Sequence, residues 1–521
     1  MKKSTAVVLF GMAAWTFLGR GSALAQEMGI LTPKPGPRPQ INGARVFGVR
    51  PNSPFLFTIP ATGDRPMTFS AENLPQGLAV EASTGRISGR VERRGEYLVT
   101  LVASNKLGMD RRPFKIVCGD RLALTPHLGW NSWYVWENHV TEAIIRDAAK
   151  AMVQSGMIDH GYMYVNIDDC WGVKEGSTDP TLQGQARDAQ GKVLANKRFP
   201  DMKALTDYIH GLGLKAGIYT SPGPTTCAGH AGAYGHEALD VERFVEWGFD
   251  FLKYDWCSYA SVAKDKSPAE LQKPYRLISD ILLRQPRDIV LNLCQYGQGQ
   301  VWKWGAEVGG NSWRTADDLG GTFERIGQAL FRDGFDLYAA EDLHFYGRPG
   351  AWNDPDYLLV GYLSNWKGQT VPTPLTPNEQ YSHVSLWCLL AAPLIFSGDI
   401  TRLDDFTLSL LTNDEVLDVD QDPLGRPGRR LTKTGDLEVW ARDMEDGTKA
   451  VGLFNRGEGT VPVAVRFADL GLLGPQRLRD LWRQKDLGIF RDEFRADVPP
   501  HGVFLARVRP EGRSAHSPLV R

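Results

Sequence analysis

The amino-acid sequence predicts a multidomain protein in which a (β/α)8 TIM barrel lies between an N-terminal β-sandwich and a C-terminal antiparallel β-sandwich. Its 521 residues exceed the ~100–200 residues of a usual domain, so we expect several domains. Short alternating apolar runs with Pro and Gly between them come first, strand-then-helix units follow, and alternating runs return near the end. We predict a signal peptide at 1–25, a β-sandwich module at 26–120, a barrel at 121–411 and a C-terminal domain at 412–521.

The first residues predict export. Lys2 and Lys3 precede an apolar run over residues 6–18, and Ala23-Leu24-Ala25 fits a cleavage site. The run is shorter than the ~20 apolar residues that cross a bilayer, although an uncleaved anchor is the alternative. We therefore expect a bacterial protein that is periplasmic or extracellular. Six Cys in an exported chain of this length predict at most one or two disulfides.

The N-terminal module has the pattern of a small β-sandwich, with runs such as Phe55–Ile59 and Tyr97–Val102 separated by turn residues. Three of its segments, Leu74–Leu78, Ser83–Gly89 and Gly95–Thr100, resemble the immunoglobulin-like domains that accompany bacterial extracellular enzymes. Such a module could bind carbohydrate or act as a spacer. Because no cluster of exposed aromatic residues is visible in it, we favour the spacer.

The middle of the chain has the pattern of a parallel barrel. Strand candidates are Tyr162–Ile167, Leu214–Tyr219, Phe249–Tyr254, Ile289–Leu293 and Pro393–Ser397, and helical patterns such as Thr141–Ser155 lie between them. In such a barrel the active site lies at the carboxyl ends of the strands. Here the strand candidates run directly into the acidic pairs Asp168-Asp169 and Asp317-Asp318 and into Asp255. We therefore expect the chemistry at these strand ends.

Composition limits the classes of function. A net charge of -2 and 42% hydrophobic residues disfavour both disorder and nucleic-acid binding. HExxH, cysteine-pair and GxSxG patterns are missing from the sequence, so we predict neither a metal nor a cofactor. Twelve of the 15 Trp lie between Trp130 and Trp387, where each one alone is best explained by core packing. Paired carboxylates in an aromatic-walled cleft suit cleavage of a glycosidic bond.

Six segments along the predicted strand ends carry a family resemblance. They are Thr125–Trp133, Tyr164–Trp171, Leu214–Tyr219, Lys253–Cys257, Ser312–Asp318 and Trp352–Asp356. In this order they resemble glycoside hydrolase family 27, the family of α-galactosidases and α-N-acetylgalactosaminidases. The resemblance extends from about residue 122 into the C-terminal domain. It implies an exo-acting α-galactosidase that releases terminal galactose with retained configuration and needs no cofactor.

The resemblance also implies the two catalytic carboxylates. Asp255 matches the nucleophile, and Asp318, four residues after Arg314, matches the acid/base. A retaining pair places the two carboxyl groups about 5–5.5 Å apart. Asp317 competes for the acid/base role, but neighbouring strand residues face opposite ways, so we expect it to face solvent or the barrel wall.

The remaining family positions imply a galactose pocket. Asp168 and Asp169 match the acceptors for the 4- and 6-hydroxyls, and Trp133 matches the wall under the sugar. The other implied substrate contacts are Tyr219 and Lys253 near the nucleophile, Gln295 and Arg314 at the lower-numbered hydroxyls, Asp356 deeper in the pocket, and a Cys227–Cys257 disulfide that lines the site. The charges of Lys253 and Arg314 should hold Asp255 ionised.

The chain departs from the family pattern at three further places. Tyr357 stands where the family commonly has Met, and Gln295-Tyr296 where its α-galactosidases usually have Glu-Trp. Bulky Gln and Tyr leave little room for an acetamido group, so we favour galactose over N-acetylgalactosamine. Asp169 argues against a β-L-arabinopyranosidase. Cys170 lacks the usual upstream Cys and should be reduced.

An inactive carbohydrate-binding protein is the alternative from another class. Beyond a carbohydrate substrate we predict no partner, and the sequence leaves the oligomeric state open.

Overall fold

The computed structural model describes residues 29–512, so the predicted signal peptide lies outside the described range. Within this range no helix is both long and apolar enough to cross a membrane. The N-terminal module contains the strands from Gln40 to Cys118, the barrel begins with the strand at Leu128, and the C-terminal domain contains the strands from Arg429 to Pro510.

The N-terminal module is a sandwich of two sheets, as its alternating pattern predicts. One sheet has the strand order Val46–Val49, Gly108–Cys118, Gly95–Asn105, Thr68–Glu72, and the other has the order Pro54–Thr58, Arg86–Arg90, Leu78–Val80. A short pair joins Gln40–Ile41 to Ala61–Thr62. Inward residues of both sheets, such as Phe57, Phe69 and Phe114, form a core that belongs to the module itself. The immunoglobulin-like prediction is confirmed.

Eight parallel strands form the barrel. In chain order they are β1 (Leu128–Asn131), β2 (Tyr164–Asn166), β3 (Lys215–Thr220), β4 (Phe251–Asp255), β5 (Val290–Cys294), β6 (Ser312–Arg314), β7 (Trp352–Asp354) and β8 (Leu394–Phe396). Each strand pairs in parallel with its neighbours, and β8 pairs with β1. Just beyond β7, Leu358 bridges to Phe396 and closes the barrel. Residues of these strands are buried on both faces, which explains why they read as continuous apolar runs.

Helices surround the barrel. They are Trp133–Trp136, Glu142–Gln154, Met202–Gly211, Glu237–Trp247, Pro268–Leu283, Ile326–Ala329 continuing through a π-helix Leu330–Leu337 to Tyr338–Ala340, then Pro377–Leu390, Asp405–Leu411 and Asp414–Asp420. Several begin at a side-chain cap: Thr141 and Ser267 accept a hydrogen bond from the first turn, and Thr376 with Glu379 forms a capping box. A hairpin of Tyr362–Ser364 and Thr370–Pro372 lies between β7 and the next helix.

The C-terminal domain is antiparallel. Its larger sheet has the order Arg429–Thr434, Leu437–Asp443, Lys449–Asn455, Val503–Pro510, Gln476–Asp480, Lys485–Phe490, and Val461–Arg466 pairs separately with Glu493–Val498. It packs on the helix Pro377–Leu390, where Trp482 Nε1 donates to Ser385 Oγ at 2.9 Å and Arg442 donates to the Cys388 carbonyl at 2.7 Å. That helix is therefore buried from Glu379 to Leu390.

The N-terminal module is docked directly on the amino end of the barrel. Arg50 Nε donates to Asp288 Oδ1 at 2.5 Å, and Thr58 Oγ1 donates to the Gly213 carbonyl at 2.8 Å. Gly213 and Asp288 lie immediately before β3 and β5, so the module is at the opposite end from the acidic strand ends.

The first described residues also pack against the barrel helices. The Leu31 N–H donates to the Tyr381 hydroxyl at 3.1 Å, and Thr32 Oγ1 donates to the Ser409 carbonyl at 3.0 Å. Asn413 Nδ2 contacts Thr32 Oγ1 at 3.1 Å and the carbonyls of Leu481 and Trp482. One amide therefore links the N-terminal segment, the barrel and the C-terminal domain.

Candidate active site

The predicted site residues come together at the carboxyl end of the barrel. Asp168 and Asp169 follow β2, Asp255 ends β4, Arg314 ends β6, and Asp356 lies two residues past β7. All five side chains are buried. Parallel strands bring their carboxyl ends to one edge, which is why residues far apart in the sequence form a single site.

Asp255 is held by a phenol. The Tyr296 hydroxyl donates to Asp255 Oδ1 at 2.6 Å. Burial raises the pKa of Asp255 to about 6, while the charge of Lys253 and the hydrogen bond from Tyr296 act in the opposite direction. Lys253 thus favours the ionised form as predicted, but burial outweighs it. A fixed carboxylate that ionises near pH 6 is suited to nucleophilic attack at neutral pH.

Lys253 itself pairs with Asp168. Its Nζ donates to Asp168 Oδ2 at 2.9 Å, and Asn131 Nδ2 donates to the same oxygen at 2.9 Å. The ammonium also lies 5.2 Å from the ring centroids of Tyr219 and Tyr357. Burial alone would lower the pKa of Lys253, but the Asp168 carboxylate raises it well above its ordinary value. Lys253 is therefore a permanent cation in the floor of the site.

Asp169 is held by backbone amides. It accepts hydrogen bonds from the N–H groups of Cys170 at 2.7 Å and Ala228 at 2.8 Å. Burial raises the pKa of Asp169 to about 6, and these hydrogen bonds partly oppose the rise. The neighbouring Cys170 is a buried free thiol, as predicted.

Arg314 joins two further carboxylates. It donates to Asp318 Oδ1 at 3.0 Å and lies 3.1 Å from Asp356 Oδ2. The Tyr134 hydroxyl donates to the same Asp356 oxygen at 2.6 Å. Burial raises the pKa of Asp356 to about 6 against the opposing charge of Arg314. The guanidinium thus serves Asp318 and Asp356, and it has no hydrogen bond to Asp255.

Asp317 and Asp318 differ in where they point. Asp318 keeps 39% of its side chain exposed while bound to Arg314, so a ligand can reach it. Asp317 is exposed, and its backbone carbonyl accepts from Arg314 at 2.9 Å. Of the two expected orientations, solvent or the barrel wall, the structure shows Asp317 facing solvent. Asp318 and Asp255 are close enough that the charge of Asp318 raises the pKa of Asp255.

A disulfide forms one wall of the site. Cys227 and Cys257 are bonded, which ties the loop after β3 to the loop after β4. The Tyr219 hydroxyl lies 3.3 Å from Cys257 Sγ, and the Tyr296 hydroxyl lies 3.7 Å from both sulfur atoms. The implied bridge is present, and the other four cysteines are free thiols.

Gln295 offers a free acceptor. It is buried directly after β5, and its Nε2 donates to the Gln298 carbonyl at 3.0 Å. Its Oε1 is buried without a hydrogen-bond partner in the described part of the chain. A buried unpaired acceptor is costly, so a ligand hydroxyl that donates to it would gain free energy. Trp133 is half-buried at the rim after β1, where a sugar face could rest on it.

Two clusters have the residue types of a metal site. Asp169, Cys170 and His230 form one, and Cys227, Asp255 and Cys257 form the other. In the first, burial keeps the Cys170 thiol protonated and His230 Nδ1 contacts the Gly172 carbonyl at 2.8 Å. In the second, both sulfur atoms are in the disulfide. Neither donor set fits a metal ion.

Family models identify the chain. Residues 125–422 match the model described as Alpha galactosidase A, and residues 434–508 match that of the alpha galactosidase C-terminal beta sandwich domain. The chain belongs to the alpha-galactosidase family of glycoside hydrolases. Residues 39–118 match an Ig domain model. The predicted family and fold class are both confirmed.

Relatives of this family cover most of the chain. Alpha-galactosidase 2 of Arabidopsis thaliana is 38% identical over 392 residues, which cover 74% of this chain and 90% of the relative. A structure from Bacteroides fragilis has a TM-score of 0.82 at 34% identity and covers 92% of this chain and 99% of that one.

Two further structures differ in their named activity. Alpha-galactosidase I from Mortierella vinacea has a TM-score of 0.66 at 33% identity and covers 74% of this chain and 97% of that one. A β-L-arabinopyranosidase from Geobacillus stearothermophilus has the same TM-score of 0.66 at 27% identity and covers 75% of this chain and 98% of that one. Overall fold therefore does not separate the two activities, and the site residues must.

Sequence reasoning missed two features of the site. The sequence predicts only that Tyr296 limits the room for an acetamido group, whereas the structure also shows its hydroxyl bound to Asp255. Tyr134 was not singled out, yet it positions Asp356. Tyr134 had a usable signal, because it follows the Gly-Trp-Asn-Ser-Trp segment directly.

Proposed function

We propose that the protein is an exported, retaining exo-α-galactosidase that hydrolyses terminal α-linked galactose. The observation that carries this proposal is the pairing of a buried, phenol-bound Asp255 with a solvent-accessible, Arg-bound Asp318 in one site. One carboxylate is enclosed and oriented, and the other is open to a departing group. This asymmetry is what a double displacement requires.

In the first step Asp255 attacks the anomeric carbon and Asp318 protonates the glycosidic oxygen, so the aglycone leaves as an alcohol. In the second step Asp318 takes a proton from water, and that water hydrolyses the galactosyl ester and regenerates Asp255. As the ester forms, the charge on Asp255 disappears, and the Tyr296 hydrogen bond to it weakens. As the ester breaks, the same hydrogen bond stabilises the carboxylate that leaves.

The choice of galactose rests on the buried polar groups. Asp168 and Asp169 offer carboxylate oxygens to the axial 4-hydroxyl and the 6-hydroxyl, and Gln295 Oε1 is free to accept from the 2-hydroxyl. An arabinopyranoside lacks the 6-hydroxymethyl and would leave part of the Asp169 hydrogen-bonding capacity unused. Gln295 and Tyr296 leave little room for an acetamido group.

A three-substrate panel tests this proposal. We expect 4-nitrophenyl α-galactoside to be hydrolysed at least about a hundredfold more efficiently than the α-N-acetylgalactosaminide or the β-L-arabinopyranoside. The first sugar formed, followed by NMR, should be the α-anomer. Preference for either rival sugar, or inversion at the anomeric carbon, would contradict the proposal.

Variants of the carboxylates test the assigned roles. Asp255→Asn should abolish turnover of the aryl galactoside. Asp318→Ala should lower kcat/KM for melibiose by about 10²–10⁴-fold and that for activated aryl galactosides far less, because kcat/KM reports the first step, in which only the poor leaving group needs protonation. Asp317→Ala is the matched control and should resemble wild type. If Asp317→Ala showed the leaving-group dependence instead, the acid/base assignment would be wrong.

Export remains part of the proposal and rests on residues 1–25 alone. Cells that express the full chain should release a mature form beginning near Gln26 into the periplasm or medium, as N-terminal sequencing would detect. A cell-associated full-length chain would argue for the uncleaved anchor.

A further inference from the structure

An exposed tryptophan stands at the rim of the active site. Trp366 lies in the turn of the hairpin Tyr362–Ser364 and Thr370–Pro372, which follows β7 and therefore lies at the carboxyl end of the barrel. Trp366 is 38% exposed, and its backbone φ of 61° is in the left-handed region, which a bulky residue rarely adopts. An exposed aromatic residue in an uncommon backbone conformation is a candidate binding residue.

The surrounding contacts hold this ring in place. Ser364 Oγ donates to the Glu137 carboxylate, which ties the hairpin to the segment after Trp133–Trp136. The Trp366 N–H donates to Ser364 Oγ at 3.1 Å. The Trp366 ring lies edge-on to two aromatic residues, Trp133 at 6.1 Å and Tyr134 at 6.2 Å between centroids. The ring is therefore preorganised although it is exposed.

We propose that Trp366 forms the subsite for the leaving group, where it binds the neutral pyranose ring to which the terminal galactose is attached. This inference rests on the proposed α-galactosidase function. The exposed part of Trp366 supplies a flat apolar surface for the C–H face of a sugar. Beside it the Asn365 and Gln369 amides, joined by a 3.1 Å hydrogen bond, offer uncharged groups to sugar hydroxyls.

Tyr134 lies between Trp366 and the loop that carries Asp318. Tyr134 separates the two elements: its ring packs against Trp366, and its hydroxyl binds the Asp356 oxygen that also accepts from the Leu319 N–H. Asp318 is in the loop that contacts the Tyr134 hydroxyl through Gly320, while Trp366 contacts the Tyr134 ring. The glycosidic oxygen must lie within reach of Asp318, and in this proposal the sugar beyond that oxygen extends past Tyr134 along the rim to Trp366.

The test compares two substrates that share galactose and differ in the leaving group. α-Galactosyl fluoride has no leaving sugar, whereas melibiose has a glucose. We expect Trp366→Ala to lower kcat/KM for melibiose by about tenfold, mainly through KM, and to leave the fluoride within about twofold of wild type. Trp366→Phe should recover part of the loss, because it restores an aromatic surface.

Phe345→Ala is the matched control, since Phe345 is 74% exposed but precedes β7 at the other end of the barrel. It should leave both substrates unchanged. An equal loss on both substrates, or no loss on melibiose, in Trp366→Ala would overturn the subsite. If wild-type protein cleaved neither substrate, the proposed function would fail first and the subsite with it.

Discussion

Tyr296 departs from the family pattern and supplies the hydrogen-bond donor to Asp255. Its place in the sequence identifies it as a departure from the family pattern, but not where its hydroxyl points. The backbone at Tyr296 has a φ of 62°, and this left-handed residue, two positions after β5, has its hydroxyl on Asp255. Apolar periodicity carries no information on such a turn, so the sequence could predict the carboxylate but not its hydrogen-bond donor.

Tyr296→Phe should shift the acidic limb of the pH profile. Tyr296 lowers the pKa of Asp255 by donating to its ionised form, so removing the hydroxyl should raise that pKa above about 6. The expected result is an acidic limb of kcat/KM displaced upward by about one pH unit. Tyr97→Phe, which loses a 2.7 Å hydrogen bond to the Arg93 carbonyl in the N-terminal module, should leave the profile unchanged. If the acidic limb of kcat/KM did not move in Tyr296→Phe, the Tyr296 hydroxyl would not control the pKa of Asp255.

Asp255→Asn should stabilise the fold in a pH-dependent way. Burial raises the pKa of Asp255 from 3.8 to about 6, so the folded state binds this proton more tightly than the unfolded chain does. The stability that Asp255 contributes is complete below pH 3.8 and is lost as the pH rises through 6. Asparagine avoids the buried charge, and we expect a gain of about 2 kcal/mol at pH 7.5. Thermal unfolding should show a raised Tm at pH 7.5, a smaller gain at pH 5 and little difference at pH 3.5, below the unfolded pKa of 3.8, and a pH-independent change would contradict this account.

At the scale of elements, the barrel strands were predictable and the hairpin with Trp366 was not. Leu214–Tyr219 and Ile289–Leu293 each overlap the observed strand within one residue at either end, because a buried parallel strand is continuously apolar. The hairpin strands have only three residues each and lie outside the barrel core. They are therefore too short to show a hydrophobic periodicity in the sequence. The Cys227–Cys257 pairing came from the family resemblance, since spacing alone does not choose partners.

The disulfide should stabilise the two loops that it joins. The cysteines are 30 residues apart, and the chain-entropy model assigns a bridge of that span about 3–4 kcal/mol. Replacing both cysteines with serine should lower the urea midpoint of tryptophan fluorescence accordingly. Reductant should move wild type to the midpoint of the double variant and leave the variant itself unchanged. A wild-type midpoint insensitive to reductant would contradict the prediction.

At the scale of the whole molecule, changes in hydrophobic periodicity along the sequence predict the order of the three domains. They do not predict how the N-terminal module contacts the barrel. The contacts between Arg50 and the segment from Leu283 to Asp288 involve an ordinary charged residue in a turn, and the sequence gives no sign of a partner more than 230 positions away. The N-terminal module was expected to act as a spacer. It covers the amino end of the barrel and contacts it directly.

Arg50→Ala should loosen this docking without changing the active site. The Arg50 side chain bonds Asp288 and the carbonyls of Leu283, Gln285 and Arg287, and both charges of the pair are largely buried. Loss of these contacts should cost about 3 kcal/mol and appear as a lower Tm and faster proteolysis, while KM stays at the wild-type value. Arg94→Ala removes an exposed pair with Asp120 and should have no measurable effect. A raised KM in Arg50→Ala would mean that the two ends of the barrel are coupled.

The contacts of residues 29–32 impose an order on how the chain completes its fold. The N-terminal module can assemble its own core as soon as Cys118 is available. The Leu31 and Thr32 contacts must wait for Tyr381, Ser409 and Asn413, and Asn413 in turn is fully satisfied only when Leu481 and Trp482 arrive. Closing loops of several hundred residues is slow. The beginning of the described chain is therefore among the last parts to be fastened, and its attachment reports that the final domain has folded.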